Sequence, residues 1–135
     1  MKKLPIILLS TFIFPNVTYA THLYPEKTYQ NAWCKTHNGI SEYTLDDKTR
    51  VDCLTRNYAI EFDFAEKWAE SVGQALYYSI KTSKNPGVVL IIENQTKEEN
   101  YLKRLQTIAT KYNIKIWTIT PKDTYHKRDS TDLCK

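Results

Sequence analysis

Glycine is scarce in this chain, with three residues in 135. That leaves no glycine-rich loop of the kind that cradles phosphates. A G-x-S-x-G elbow and an H-E-x-x-H helix are also missing, which removes the common serine-hydrolase and zinc-protease signatures. The histidines His22, His37 and His126 are scattered, and none is assigned a role. Cysteine is limited to Cys34, Cys53 and Cys134. Cys34 and His37 spell one C-x-x-H half of a zinc site, with no matching second half. Repeats and low-complexity stretches are absent. No apolar run reaches the ~20 residues that a membrane-spanning helix needs.

What is present begins with a targeting pattern. Lys2 and Lys3 precede an apolar stretch from Leu4 to Val17, interrupted by Ser10, Thr11 and Asn16. Thr18-Tyr19-Ala20 then offers small residues where a signal peptidase reads. Residues 1–20 are expected to be a secretory signal peptide, making the mature protein periplasmic or secreted, with no membrane contact after cleavage. A membrane anchor is the alternative, and the shortness of the apolar run disfavours it. Removing these 20 residues leaves 115, one small domain. It also removes two lysines, leaving 17 basic against 15 acidic residues, a net charge of +2. That balance neither demands nor excludes a nucleic-acid partner. Export implies an oxidising compartment, so one disulfide and one spare thiol is the simplest use of three cysteines. Cys34–Cys53 is the preferred pair because both lie in the structured part, and Cys134 competes for either.

The pattern along the chain predicts alternating elements. A helix starts near Tyr24-Pro25-Glu26, runs through Trp33 and stops near Asn38-Gly39. Three strands follow, Ile40 to Leu45, Arg50 to Thr55 and Tyr58 to Phe64, separated by turns at Asp46-Asp47-Lys48 and Arg56-Asn57. A helix is predicted over 66–81, with Trp68, Ala69, Val72, Ala75, Leu76 and Ile80 on its apolar face. Asn85-Pro86-Gly87 is expected to break the chain before a buried strand, Val88 to Ile92. A capping box at Thr96 to Glu99 is expected to open a helix to about Tyr112, and Ile114 to Ile119 forms the last strand. The segment 121–135 reads as a polar, irregular tail. The order α-β-β-β-α-β-α-β implies a single α/β (α+β) domain over residues 21–120, a mixed central sheet with helices on both faces.

The chemistry concentrates in "AIEFDFAEKW", Ala59 to Trp68. Alternate residues of a strand share a face, so Glu61 and Asp63 leave the same side, next to Ala59 and Ala65, which read as covered. Two buried like charges are costly unless something neutralises them. Asp52, on the neighbouring strand, can converge with them, and a hard cation such as Mg²⁺ or Mn²⁺ suits such an oxygen-rich group. The next helix adds a polar stripe: Lys67, Glu70 or Ser71, Gln74 and Tyr78. Lys67 can stabilise negative charge beside the acids, and Gln74 can orient it or touch substrate. Glu42, in the first strand, is a second-tier acidic ligand. Plainer alternatives remain: Asp52 paired with Arg50 or Arg56, a solvated strand face, Lys67–Glu70 as a surface pair, and Tyr77 and Tyr78 as packing residues.

The element order, with an acid in the second strand and E-x-acid on the third, resembles the PD-(D/E)XK nuclease superfamily, which includes restriction endonucleases, Holliday-junction resolvases and RecB-type domains. Small exported bacterial proteins with R-x-D-C-L-T and A-I-E-F-D-F-A segments are similar too. The resemblance covers Tyr24 to Ile119. It implies a restriction-endonuclease-like fold, Asp52, Glu61 and Asp63 as metal ligands, Gln74 as the helix glutamine, and Mg²⁺- or Mn²⁺-dependent cleavage of nucleic acid. The family pattern has lysine where this chain has Asp63. Some members carry that lysine on the following helix, which points to Lys67. The other expectation is a catalytically inactive nuclease-fold module that binds a partner in the periplasm.

Overall fold

The computed structural model describes residues 22–125. The expected signal peptide, most of the expected tail, His126 and Cys134 lie outside them. The protein is α+β, built on a five-stranded mixed sheet in the order β1 (Ile40–Thr44), β2 (Arg50–Leu54), β3 (Tyr58–Phe64), β4 (Asn85–Ile91) and β5 (Lys115–Ile119). β1, β2 and β3 form an antiparallel meander, and β3, β4 and β5 run parallel. The parallel pairs need crossovers, supplied by α2 (Trp68–Thr82) and α3 (Gln95–Tyr112).

Alternation along β3 divides the molecule into two cores. Ile60, Phe62 and Phe64 face α1 (Glu26–Thr36), whose Tyr29, Trp33 and Cys34 complete one cluster with Val89, Ile91 and Ile119. On the other face Val88, Leu90 and Ile92 pack with Ala75 of α2 and with Leu105 and Ala109 of α3. Every residue from Ala59 to Ala65 is buried. Cys34 and Cys53 are joined in a disulfide that ties α1 to β2. Gly39 makes that approach possible, because a Cβ there would lie 2.3 Å from the Cys53 sulfur.

Several element boundaries depart from the sequence reading, each for a local reason. The helix expected from residue 66 begins as a 3₁₀ turn, Ala65–Lys67, and becomes α-helical at Trp68. Ile80 and Ala69 are exposed, and Tyr78 takes the inward place instead. The break after α2 is made by Ser83, whose φ of 53° is left-handed. Asn85-Pro86-Gly87 is already strand, with Ala59 paired to Pro86. The cap of α3 lies two residues before the expected box: Asn94 Oδ1 accepts from the Lys97 amide at 3.2 Å, and Glu98 accepts from the Asn94 amide at 3.0 Å. Pro121 does not start an irregular tail but a short helix, α4 (Pro121–Tyr125). Thr120 precedes it, and Asp123 takes both the Thr120 amide, at 2.7 Å, and its hydroxyl, at 2.8 Å. That is a capping box followed by proline, a signal present in "TPKD".

Candidate active site

The site forms where the regular sheet fails. Pairing between β2 and β3 consists of Leu54–Ala59 and Cys53–Ile60 and stops before Asp52. Between β1 and β2, Ser41–Cys53 and Tyr43–Val51 are paired, and Glu42 and Asp52 between them are not. Glu42 has a φ of 58°, a left-handed backbone that costs a non-glycine residue about 1–2 kcal/mol. The strand turns over here. Cys53 packs in the α1 cluster, but Val51, two residues earlier, packs with Leu54, Ala59 and Tyr78 on the opposite face. A regular strand would place both on one side.

Side chains take over the missing backbone bonds. The Asp52 carboxylate accepts from the Phe62 amide at 2.8 Å, and Glu61 accepts from the Asp52 amide at 3.3 Å. Gln30, buried in α1, donates to the Asp52 carbonyl at 2.5 Å and to Glu42 Oε1 at 2.9 Å. The acids therefore bridge a fork between two diverging strands. The fork opens into a polar cavity of about 660 Å³. Every residue expected at the site lines it: Glu42, Asp52, Glu61, Asp63, Lys67 and Gln74.

Burial sets the electrostatics. Glu61 is 2 % exposed and Asp63 5 %. Burial is the main force raising the affinity of Asp52 and Glu61 for protons well above the carboxylate range, and for Glu61 the Asp52 charge adds to it. Asp63 rises to about 7, again chiefly through burial, with Glu26 adding and Lys67 opposing. Glu26 is raised by burial as well. Glu42 moves the other way, held down by Lys27 and Gln30. Its carboxylate lies 2.8 Å from Lys27 Nζ and 2.9 Å from Arg50 Nη1. Arg50 thus pairs with Glu42, leaving Asp52 free of that partner. Lys67 lines the cavity and makes no salt bridge among the described residues.

Carboxylate oxygens are the atoms a hard cation prefers, and the nearby positive charges, Lys27 toward Asp52 and Lys67 toward Asp63, offset the acids only in part. No three His, Cys, Asp or Glu side chains among the described residues stand grouped as a finished metal cage. One oxygen of Asp52 and one of Glu61 accept from backbone amides.

Five lining residues escaped the sequence reading: Glu26, Lys27 and Gln30 of α1, and Lys48 and Thr49 in the turn before β2. A signal existed for Gln30. It precedes Cys34 by one helical turn, so a bond from Cys34 to Cys53 turns it toward Asp52. Tyr78 is a packing residue, and the Tyr77 hydroxyl donates to Asp47. The C-x-x-H reading falls because Cys34 is in the disulfide and His37 stacks on Trp33.

The site is a buried carboxylate cluster with a free lysine at its rim, in a mixed α+β sheet. No protein-family model matches the chain, and neither curated proteins nor solved structures give a match.

Proposed function

We propose that this protein is a Mg²⁺- or Mn²⁺-dependent nuclease related to the PD-(D/E)XK superfamily, acting outside the cytoplasm. The carrying observation is that Asp52, Glu61, Asp63, Lys67 and Gln74, chosen from sequence spacing, share one polar cavity whose acids Asp52, Glu61 and Asp63 form no salt bridge among the described residues. Asp52, Glu61 and Asp63 would hold the cation, which supplies charge neutralisation and an activated water when bound. Lys67 faces the developing charge on a phosphodiester, with Asp63 opposite it. Gln74, on the same helix, orients the substrate. The Lys27–Glu42–Arg50 group keeps two cations at the rim, where a nucleic-acid backbone enters. The disulfide and the lack of a helix long and apolar enough to cross a membrane among the described residues are compatible with export.

The test is cleavage of DNA and RNA by the purified oxidised protein with Mn²⁺ or Mg²⁺. Wild type should cut, and Asp52→Ala and Glu61→Ala should not. An inactive wild type, or variants that cut equally well, rejects the proposal. A second reading, an inactive module that binds a partner in the periplasm, is favoured by Asp63 standing where the family has lysine, and by the amide-bound oxygens of Asp52 and Glu61. Calorimetric titration separates the two. Cation binding lost in Glu61→Ala supports the nuclease, and no cation binding supports the module.

A further inference from the structure

α1 covers only part of its face of the sheet. Past its last turn, Trp33, Tyr58 and Trp117 wall a second cavity, of about 230 Å³, with Arg56 and His37 at its border and no carboxylate in its lining. Tyr58 opens β3 and Asp63 lies near its end, about 16 Å further along the strand and on its opposite face. The Trp117 ring meets Trp33 and Tyr58 edge-on, each with ring centroids 5.2 Å apart. Gly87 lets that ring lie across β4, since a Cβ there would come within 2.9 Å of it.

Ordinary core packing accounts for Trp33, which is buried. It accounts for only one side of Tyr58 and Trp117, which pack against the same cluster yet stay half-buried where the cavity opens to solvent. Nor does it explain the charge. Lys115 Nζ stands 5.9 Å over the Trp117 ring, and Arg56 borders the same opening. Both are exposed, and neither has an ion pair among the described residues. Lys84 Nζ donates to the Arg56 carbonyl at 2.7 Å and adds a third positive charge. Open aromatic rings ringed by unneutralised cations suit a planar, electron-rich ring attached to an anion and repel a cationic ligand.

We infer that this cavity takes one base of a single-stranded nucleic acid. The base stacks on the open face of one of the two perpendicular rings and meets the other edge-on, and the phosphates on its two sides meet Arg56 and Lys115. Stacking uses the face that every base has, so the contact tolerates sequence but excludes a base kept inside a duplex. α1 links the two cavities, with Lys27 at the carboxylate end and Lys35 in its last turn toward the aromatic end. This assignment rests on the nuclease reading for the strand that reaches the acids, and it adds the strand state of the substrate.

Tryptophan fluorescence tests it in EDTA, where no cleavage complicates binding. The probes are oligothymidylate, the same strand annealed to oligoadenylate, and thymidine monophosphate. Oligothymidylate should quench saturably, and the other two should bind at least tenfold more weakly. Arg56→Ala with Lys115→Ala should weaken binding about tenfold and flatten the slope of log K against log salt by about 1.4. Tyr58→Leu should weaken it about tenfold without removing either charge. Trp117 also packs on Trp33, so its replacement can unfold the protein; the surface pair Arg56 and Lys115 keeps the test decisive. No quenching by oligothymidylate, equal binding of duplex or monophosphate, or unchanged binding in both variants overturns the inference. A protein that cuts but shows no such binding rejects this inference alone, and one that binds but never cuts rejects only the nuclease.

Discussion

Replacing Asp63 with asparagine should stabilise the cation-free protein. Asp63 is 5 % exposed, and its carboxyl is shifted from 3.8 to about 7. At about 1.4 kcal/mol per unit, ionising it in the folded state costs up to about 4 kcal/mol more than in the unfolded chain. Water at the cavity wall screens that charge, so a realistic gain is about 1–2 kcal/mol. Asparagine keeps an oxygen for the Phe64 amide, which Asp63 now receives at 3.1 Å. The expected rise in Tm is about 5–10 °C at pH 8 for a domain of this size. The pH dependence has a fixed sign. A carboxyl whose folded value is raised favours folding when protonated, so wild-type stability from this group is complete below the ordinary 3.8 and is lost as pH climbs through about 7. The advantage of Asp63→Asn should therefore fall to less than half by pH 5 and nearly vanish at pH 4. Calorimetric or circular-dichroism melts in EDTA across that range read it directly. A variant less stable at pH 8, or a gain identical at pH 5 and pH 8, would refute the argument from buried charge.

Other outcomes follow from the same geometry. Cys34→Ala with Cys53→Ala opens a link spanning 19 residues, and chain-entropy reasoning puts the loss at about 3 kcal/mol, readable in denaturant melts and matched by adding reductant to wild type. Gln30→Leu leaves the Asp52 carbonyl without its donor and should cost about 1–3 kcal/mol, with cleavage falling as Asp52 shifts. Tyr29→Phe removes the hydroxyl that donates to Glu93 at 2.5 Å and should cost about 1–2 kcal/mol at pH 7. Burial pushes Glu93 up, but hydrogen bonds from Tyr29, the Leu23 amide and His22 outweigh it and hold it below 4.5. Its stabilisation is thus present above that value and is lost as pH falls, so the Tyr29→Phe deficit should narrow in melts at pH 3.

The sequence made β3 legible because its alternation is strict. Ile60, Phe62 and Phe64 on one side and Ala59, Glu61 and Asp63 on the other mark a strand, while the near-complete burial of its acidic face emerged only in the structure. The polar stripe was equally plain, since Lys67 in the 3₁₀ turn and Glu70 and Gln74 in α2 all reach the cavity. What stayed hidden depends on contacts distant in sequence. Nothing in "RVDCLT" announces that the strand turns over at Asp52; that follows from Glu42 adopting a left-handed backbone on the neighbouring strand and Gln30 holding the freed carbonyl from a helix. Tyr58 and Trp117 lie 59 residues apart and meet only through the sheet. The misplaced cap of α3 was a competition between two neighbouring signals, which Asn94 won because asparagine caps at least as well as threonine and Glu98 reaches back to it.

The turn at Glu42 has a second effect, at the border of the sheet. β1 is an edge strand of only five residues, with Ile40 and Tyr43 exposed. A straight edge of that composition invites a strand from another molecule to add on and begin a stack. Glu42 interrupts the regular backbone in the middle of β1, which an added strand would have to match. An incoming chain meets two short stubs out of line with each other. One distortion thus opens the carboxylate cavity inward and keeps the sheet from extending outward.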